Sequence, residues 1–183
     1  MKKEIPVLVA LWVLILMLPV KAQNLPGKVV YSIPGMNTVE VRENLAYRKD
    51  GPDELKMDIY LPPKLAANER RPVVLFIHGG PVPSTGLKDW PFFQSYGRLV
   101  AASGLVGATF DHRFVSGNAK DTETSFSDVE AAIRFVRTNA AVHHVDPDRV
   151  ALWGFSGGGA SSQHRAAWGD ALHPVHGFLL WSA

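Results

Sequence analysis

The chain has 183 residues, 46% hydrophobic and 20% charged, which excludes a disordered polymer and allows one domain with a buried core. It has no cysteine, which excludes disulfides and thiol nucleophiles, and no His-x-x-x-His pair that would nucleate a zinc site from the remaining ligand types. The formal net charge of +2 is accounted for by Lys2, Lys3 and Lys21 against Glu4 in the first 22 residues, so the rest is near neutral and offers nucleic acid no basic surface.

Residues 1–22 begin with the basic MKKE and continue as the apolar run IPVLVALWVLILMLPV, bracketed by Pro6 and Pro19. The run is shorter than the roughly 20 residues that cross hydrocarbon, and Val20-Lys21-Ala22 follows it with residues suited to a cleavage site. This predicts a secretory signal peptide cut near Ala22 and a secreted or periplasmic product, with no stable membrane insertion after cleavage. An uncleaved anchor is the alternative. Residues 23–38, rich in proline and glycine, read as a lead-in to a single domain over 39–183.

VEVRENLAYR (39–48) and LKMDIYLP (55–62) flank the turn signal Asp50-Gly51-Pro52 and predict a half-exposed hairpin, with Leu55, Met57, Ile59 and Leu61 on one face. PVVLFIHGG (72–80) holds five consecutive apolar residues, the mark of a strand buried on both faces. A helix follows near 89–103, with Trp90, Phe93, Tyr96 and Val100 at helical spacing and Gly104 as its stop. LVGATFDHR (105–113) is a second buried strand. A polar loop, VSGNAKDTETS, then leads to a helix with Phe126, Val129, Ile133, Val136 and Ala140 on one face, opened by a Ser127-x-x-Glu130 capping box. Asp146-Pro147-Asp148 is a turn, RVALWG a strand, GGGASSQHRAAW a helix and HGFLLWS a strand. Strand and helix alternate from residue 72 onward. The fold class is therefore α/β, a mostly parallel sheet with helices on both faces and an N-terminal antiparallel hairpin.

Gly154-Phe155-Ser156-Gly157-Gly158 fits G-x-S-x-G, a weak pattern alone, but here it follows a buried strand and opens a helix. In that setting a serine sits on a sharp turn with its hydroxyl outward, and Gly154, Gly158 and Ala160 are small enough to let strand and helix approach. Ser156 is the candidate nucleophile; a capping serine in a glycine-rich turn is the bland alternative. His78-Gly79-Gly80 ends an earlier strand whose C-terminal end lies on the same edge of a parallel sheet. Gly79 or Gly80 can offer one N–H to an oxyanion and Gly157 another, whereas Pro81 has no N–H to give.

FIHGG (76–80), FDHR (110–113), DVEAAIRFVRTNA (128–140) and DPDRVALWGFSGGG (146–159) together resemble an α/β-hydrolase of the secreted esterase and lipase type. The resemblance spans residues 39–183. It is strongest to the carbohydrate-esterase-like branch of feruloyl and acetyl esterases and to hormone-sensitive-lipase-like esterases, and HGGP is also similar to prolyl-oligopeptidase-type peptidases. It implies hydrolysis of carboxylic esters through an acyl-enzyme on a small-molecule or carbohydrate ester, with no cofactor and with oligomeric state left open.

The same resemblance implies an acid and then a histidine after the nucleophile. Only 27 residues follow Ser156, taken up by a helix and a strand, and no Asp or Glu lies beyond Asp170. Neither catalytic acid nor base is identified in this chain. The expectation is the N-terminal portion of a longer hydrolase, lacking its last strands and poorly active by itself. His164 is eight residues along the helix, on the order of 12 Å away. His143, His144, His173 and His176 precede strands, at the opposite edge of the sheet. His78 is expected to hold the oxyanion loop. His112 is the sole geometric substitute for the base, and Asp111 and Arg113 beside it form an ion pair or a loop anchor. A non-catalytic binding module and a serine exopeptidase or oligopeptidase are the alternative functions.

Overall fold

Gly51, with φ 61°, and Pro52 form the two-residue turn between strand β1 (Glu40–Asp50) and strand β2 (Asp53–Leu61), which pair antiparallel from Asp50 and Asp53 outward. The computed structural model describes residues 31–80, 85–113, 118–158 and 178–181, so the expected signal segment and most of the helix expected after Ser156 lie outside the described residues. Within them stand one 3₁₀ turn at Met36–Thr38, strands β3 (Arg71–Ile77), β4 (Val106–Phe110), β5 (Val145–Phe155) and β6 (Phe178–Trp181), and helices α1 (Pro91–Ala102) and α2 (Ala119–Thr138).

The strands form one sheet in the order β1-β2-β4-β3-β5-β6. The hairpin is antiparallel, β2 also runs antiparallel to β4, and β3 is parallel to both β4 and β5, with β6 parallel to β5. This is the mixed α/β sheet that the alternation of elements predicts. Side-chain alternation along β3 sorts the two layers. Val73, Leu75 and Ile77 join Val129, Ala132, Ile133 and Val136 of α2 in one core, while Phe76 joins Phe93 and Val100 of α1 and Phe155 in another. Each of these β3 residues is almost fully buried, worth roughly 1.5–3 kcal/mol per large side chain.

Three local expectations are corrected. The hairpin is not half-exposed on β2: this strand lies between β1 and β4, and both faces are covered, Leu55, Met57, Ile59 and Leu61 on one side and Tyr60 and Asp58 on the other. Tyr60 is covered because α1 descends onto it at Gly97, where a Cβ would stand 2.5 Å from the ring. Helix α2 begins well before Ser127. Asn118 caps it by accepting from the Asp121 N–H at 2.9 Å, and Thr122 and Thr124 bond back to the Asn118 and Lys120 carbonyls. Residues 119–125 of the polar tract read as loop are thus the first turns of that helix, and Ser127 lies inside it, accepting from Arg48 at 2.8 Å. Finally, Asp146-Pro147-Asp148 turns within β5 rather than before it. Arg71 pairs with Val145 and Val73 with Val150, and Asp146 takes up the slack by accepting from the Asp148 N–H at 3.1 Å.

Candidate active site

Strand β5 is buried at Leu152 and Phe155 and then breaks at Ser156, which is exposed and takes φ 50°. A left-handed backbone at a residue with a Cβ costs roughly 1–2 kcal/mol and persists only where the surroundings impose it. Here they do. The chain must leave the sheet at Phe155 and start a helical turn at Gly158, and Gly158 lies so close to the end of β3 that a Cβ would stand 2.6 Å from both the Ile77 and the His78 carbonyl oxygens. The expected role of Ala160 in this crossing falls outside the described residues.

The end of β3 lies against the same turn. A Cβ on Gly79 would meet the Phe155 carbonyl oxygen at 2.7 Å, the Ser156 Cβ at 2.9 Å and the Gly157 nitrogen at 3.1 Å. Only glycine fits. The structure therefore brings Ser156, Gly157 and Gly79 together, with Gly80 the next residue and half-buried. Such a group of backbone amides beside an exposed hydroxyl is the arrangement that can receive a carbonyl and the negative charge that develops on it.

His78 is buried and its ring stacks on that of His112, centroids 3.6 Å apart and planes 14° from parallel. Its Nδ1 donates to the Gly79 carbonyl at 3.0 Å, which fixes the peptide between the two glycines. Burial drives its pKa down to about 4, so the ring is neutral at ordinary pH. His112 has no exposed surface. Its Nε2 contacts the His78 carbonyl at 3.1 Å and its Nδ1 the Ser125 hydroxyl at 3.1 Å. Both ring nitrogens are committed, so His112 does not serve as the substitute base that its position on the sheet edge suggests. Burial, and then the neighbouring His78, hold its pKa well below the usual histidine range. His143 and His144 sit before β5, at the other edge, in contact with Arg42 and the Glu69 carbonyl. His164, His173 and His176 lie outside the described residues.

Asp111 and Arg113 do not pair with each other. Asp111 accepts from the Gly86 and Lys88 N–H groups at 2.9 and 3.3 Å, tying down the segment that follows the two glycines. Arg113 binds Asp128, whose carboxylate is fully buried, from Nε at 3.0 Å and Nη2 at 2.8 Å, and Arg48 joins the same carboxylate at 2.9 Å. Lys88 is itself buried and reaches Asp58 at 3.1 Å. Sequence reasoning missed Ser125, Asp128 and the Lys88–Asp58 pair. The available signal was a charge between apolar strand neighbours, Met57-Asp58-Ile59, since a buried carboxylate demands a partner. Trp153 and Phe155 belong to the aromatic layer, their rings stacked 5.9 Å apart beside Tyr96, with Phe92 and Phe93 edge-on to Phe155.

A family model described as BD-FAE matches residues 57–170. Carboxylesterase 3B of Mus musculus is 35% identical over 116 residues, which cover 58% of this chain and 19% of that protein. A bacterial heroin esterase structure is similar with a TM-score of 0.64 and 27% identity, over 79% of this chain and 44% of that one. Esterase 2 of Thermogutta terrifontis, solved phosphorylated by paraoxon, is similar with a TM-score of 0.55 and 28% identity, over 72% of this chain and 47% of that one. The chain spans about a fifth of the length of the curated carboxylesterase and under half of these two solved chains.

Proposed function

This chain belongs to the BD-FAE family and has the α/β-hydrolase fold of its esterase neighbours, and on that premise we propose that it carries the nucleophile and the oxyanion-binding elements of a serine esterase. The substrate is a carboxylic ester, with acyl groups on carbohydrate the finer reading. The observation that carries this is the exposed Ser156, held at φ 50° against Gly79.

Ser156 Oγ attacks the ester carbonyl as its proton passes to a histidine. The carbonyl oxygen, now negative, is received by the Gly157 N–H and by that of Gly79 or Gly80. Collapse expels the alcohol, which takes the proton, and leaves the acyl group on Ser156; water then attacks, releasing the carboxylic acid and restoring the serine. His112 has contacts through both ring nitrogens, His78 is buried with its Nδ1 on the Gly79 carbonyl, and His143 and His144 lie at the other edge of the sheet, so the base is proposed to come from outside the described residues. The 183-residue chain is proposed to turn over slowly but through Ser156, whose hydroxyl attacks beside the oxyanion donors. The apolar run of residues 5–20 directs it out of the cytoplasm.

The test is labelling with paraoxon, the reagent that modifies the Thermogutta esterase, combined with assay on p-nitrophenyl acetate. The expected result is a diethylphosphoryl group on the peptide containing Ser156, and turnover that Ser156→Ala abolishes. Equal turnover by the variant, or labelling elsewhere only, overturns the reading and leaves a binding module. N-terminal sequencing of exported product tests the cut near Ala22.

A further inference from the structure

Two successive carbonyls at the end of β3 are each met by an imidazole. The His78 carbonyl can only accept, so the His112 Nε2 at 3.1 Å carries the hydrogen. The His112 Nδ1 is then a bare acceptor, and the Ser125 hydroxyl at 3.1 Å donates to it. Likewise the Gly79 carbonyl accepts from the His78 Nδ1 at 3.0 Å, which leaves the His78 Nε2 unprotonated, and that nitrogen is buried with no hydrogen-bond partner among the described residues. The two stacked rings therefore carry opposite tautomers. The other tautomer would bury an unpartnered N–H at that position and set a bare nitrogen against the Gly79 carbonyl, so the Nδ1–H is needed where it is.

The need lies in the peptide planes. In a trans peptide the N–H points opposite to the C=O. Pinning the His78 carbonyl fixes the direction of the Gly79 N–H, and pinning the Gly79 carbonyl fixes that of the Gly80 N–H. Glycine backbones have little conformational preference of their own, so two glycines in sequence would leave both donors loosely aimed without these contacts. We propose that His112, held in its Nε2–H form by the His78 carbonyl and oriented by Ser125, is a positioning residue that acts through His78 to aim the Gly79 and Gly80 N–H groups at the oxyanion. The proposal rests on the reading of those glycines as oxyanion donors. Ser125 reaches His112 from α2, so the helix on one face of the sheet thereby orients the amides at its edge.

The experiment has two arms, both on the full chain. Long-range 1H–15N correlation spectra of the imidazoles are expected to show His112 as the Nε2–H tautomer and His78 as the Nδ1–H tautomer, with Ser125→Ala leaving the His112 tautomer as it is but, by loosening the ring, shifting the Gly79 and Gly80 amide signals. On p-nitrophenyl acetate, His112→Leu is expected to lower the Ser156-dependent kcat by ten- to a hundredfold, on the order of what a small misplacement costs, with KM little changed. His112→Gln, whose amide can still donate to the His78 carbonyl, restores most of it. A His112 Nδ1–H tautomer, or equal kcat for the Leu and Gln variants when both are folded, overturns the proposal. Turnover that survives Ser156→Ala instead removes the esterase reading, and the tautomers and amide shifts still decide whether the two histidines aim the glycine amides.

Discussion

Gly79 lies directly against Ser156, with no room for even a methyl group between them: a Cβ would stand 2.9 Å from the serine Cβ and closer still to the Phe155 carbonyl oxygen. The contact joins two strand ends that neighbour each other in the sheet, β3 and β5. Gly79→Ala is expected to push the two apart. From the oxyanion role proposed for it, Ser156-dependent turnover is expected to fall by about 10²- to 10³-fold, and the clash is expected to destabilise the fold by roughly 1–3 kcal/mol. Paired measurements of p-nitrophenyl acetate hydrolysis and of the unfolding midpoint check both; unchanged kinetics would separate Gly79 from the chemistry.

Ser156 holds its left-handed backbone whatever its side chain does. Replacing it by alanine removes the hydroxyl and keeps the strain, while glycine removes both. Ser156→Gly is expected to unfold later than Ser156→Ala by about 1 kcal/mol, the relief at φ 50° less the entropy that glycine adds to the unfolded chain. Both variants lose turnover. Differential scanning calorimetry of the two decides; an alanine variant as stable as the glycine one would mean that the turn carries no strain.

Acid should weaken the protein through its buried histidines. His78 has a pKa of about 4 when folded against an ordinary 6.5, so the unfolded chain binds the proton more tightly. Its contribution is fully present above about pH 6.5 and is lost as pH falls toward 4, roughly 3 kcal/mol in all. His112 and His143 are depressed in the same direction by burial. The buried Asp111 carboxyl is raised and works in the opposite sense. Urea unfolding from pH 8 down to pH 4.5 should therefore show a falling midpoint, and His78→Gln should flatten the fall. A midpoint that stays level in the parent chain would contradict the neutral, buried state of these rings.

Asp128 is fully buried and held by two arginines. Arg113→Met keeps the bulk of the side chain and removes one of them, leaving a buried carboxylate with half its compensation. The expected loss is about 3 kcal/mol. Adding Asp128→Leu on the same background should recover part of it, because no unpaired charge then remains. Chemical denaturation of the single and double variants measures the difference, and a double variant less stable than the single one would show that the pair does more than neutralise.

The order of elements and the place of the serine could be read from residues alone, because burial on both faces leaves an unbroken apolar run, as in Val73–Ile77, and a G-x-S-x-G that follows such a run has few conformations open to it. Helix α2 shows the limit: its first turns are polar, so periodicity missed them, and the Asn118 cap that starts them is one residue among several that could have done so. Local pattern is set by neighbours in the chain. That His78 and His112 stack, that Ser125 reaches the second ring, and that Asp111, Asp58 and Lys88 anchor the segment beyond the glycines are matters of which groups the sheet order brings within about 3 Å, and directional contacts between residues 13 to 34 apart leave no period in a sequence.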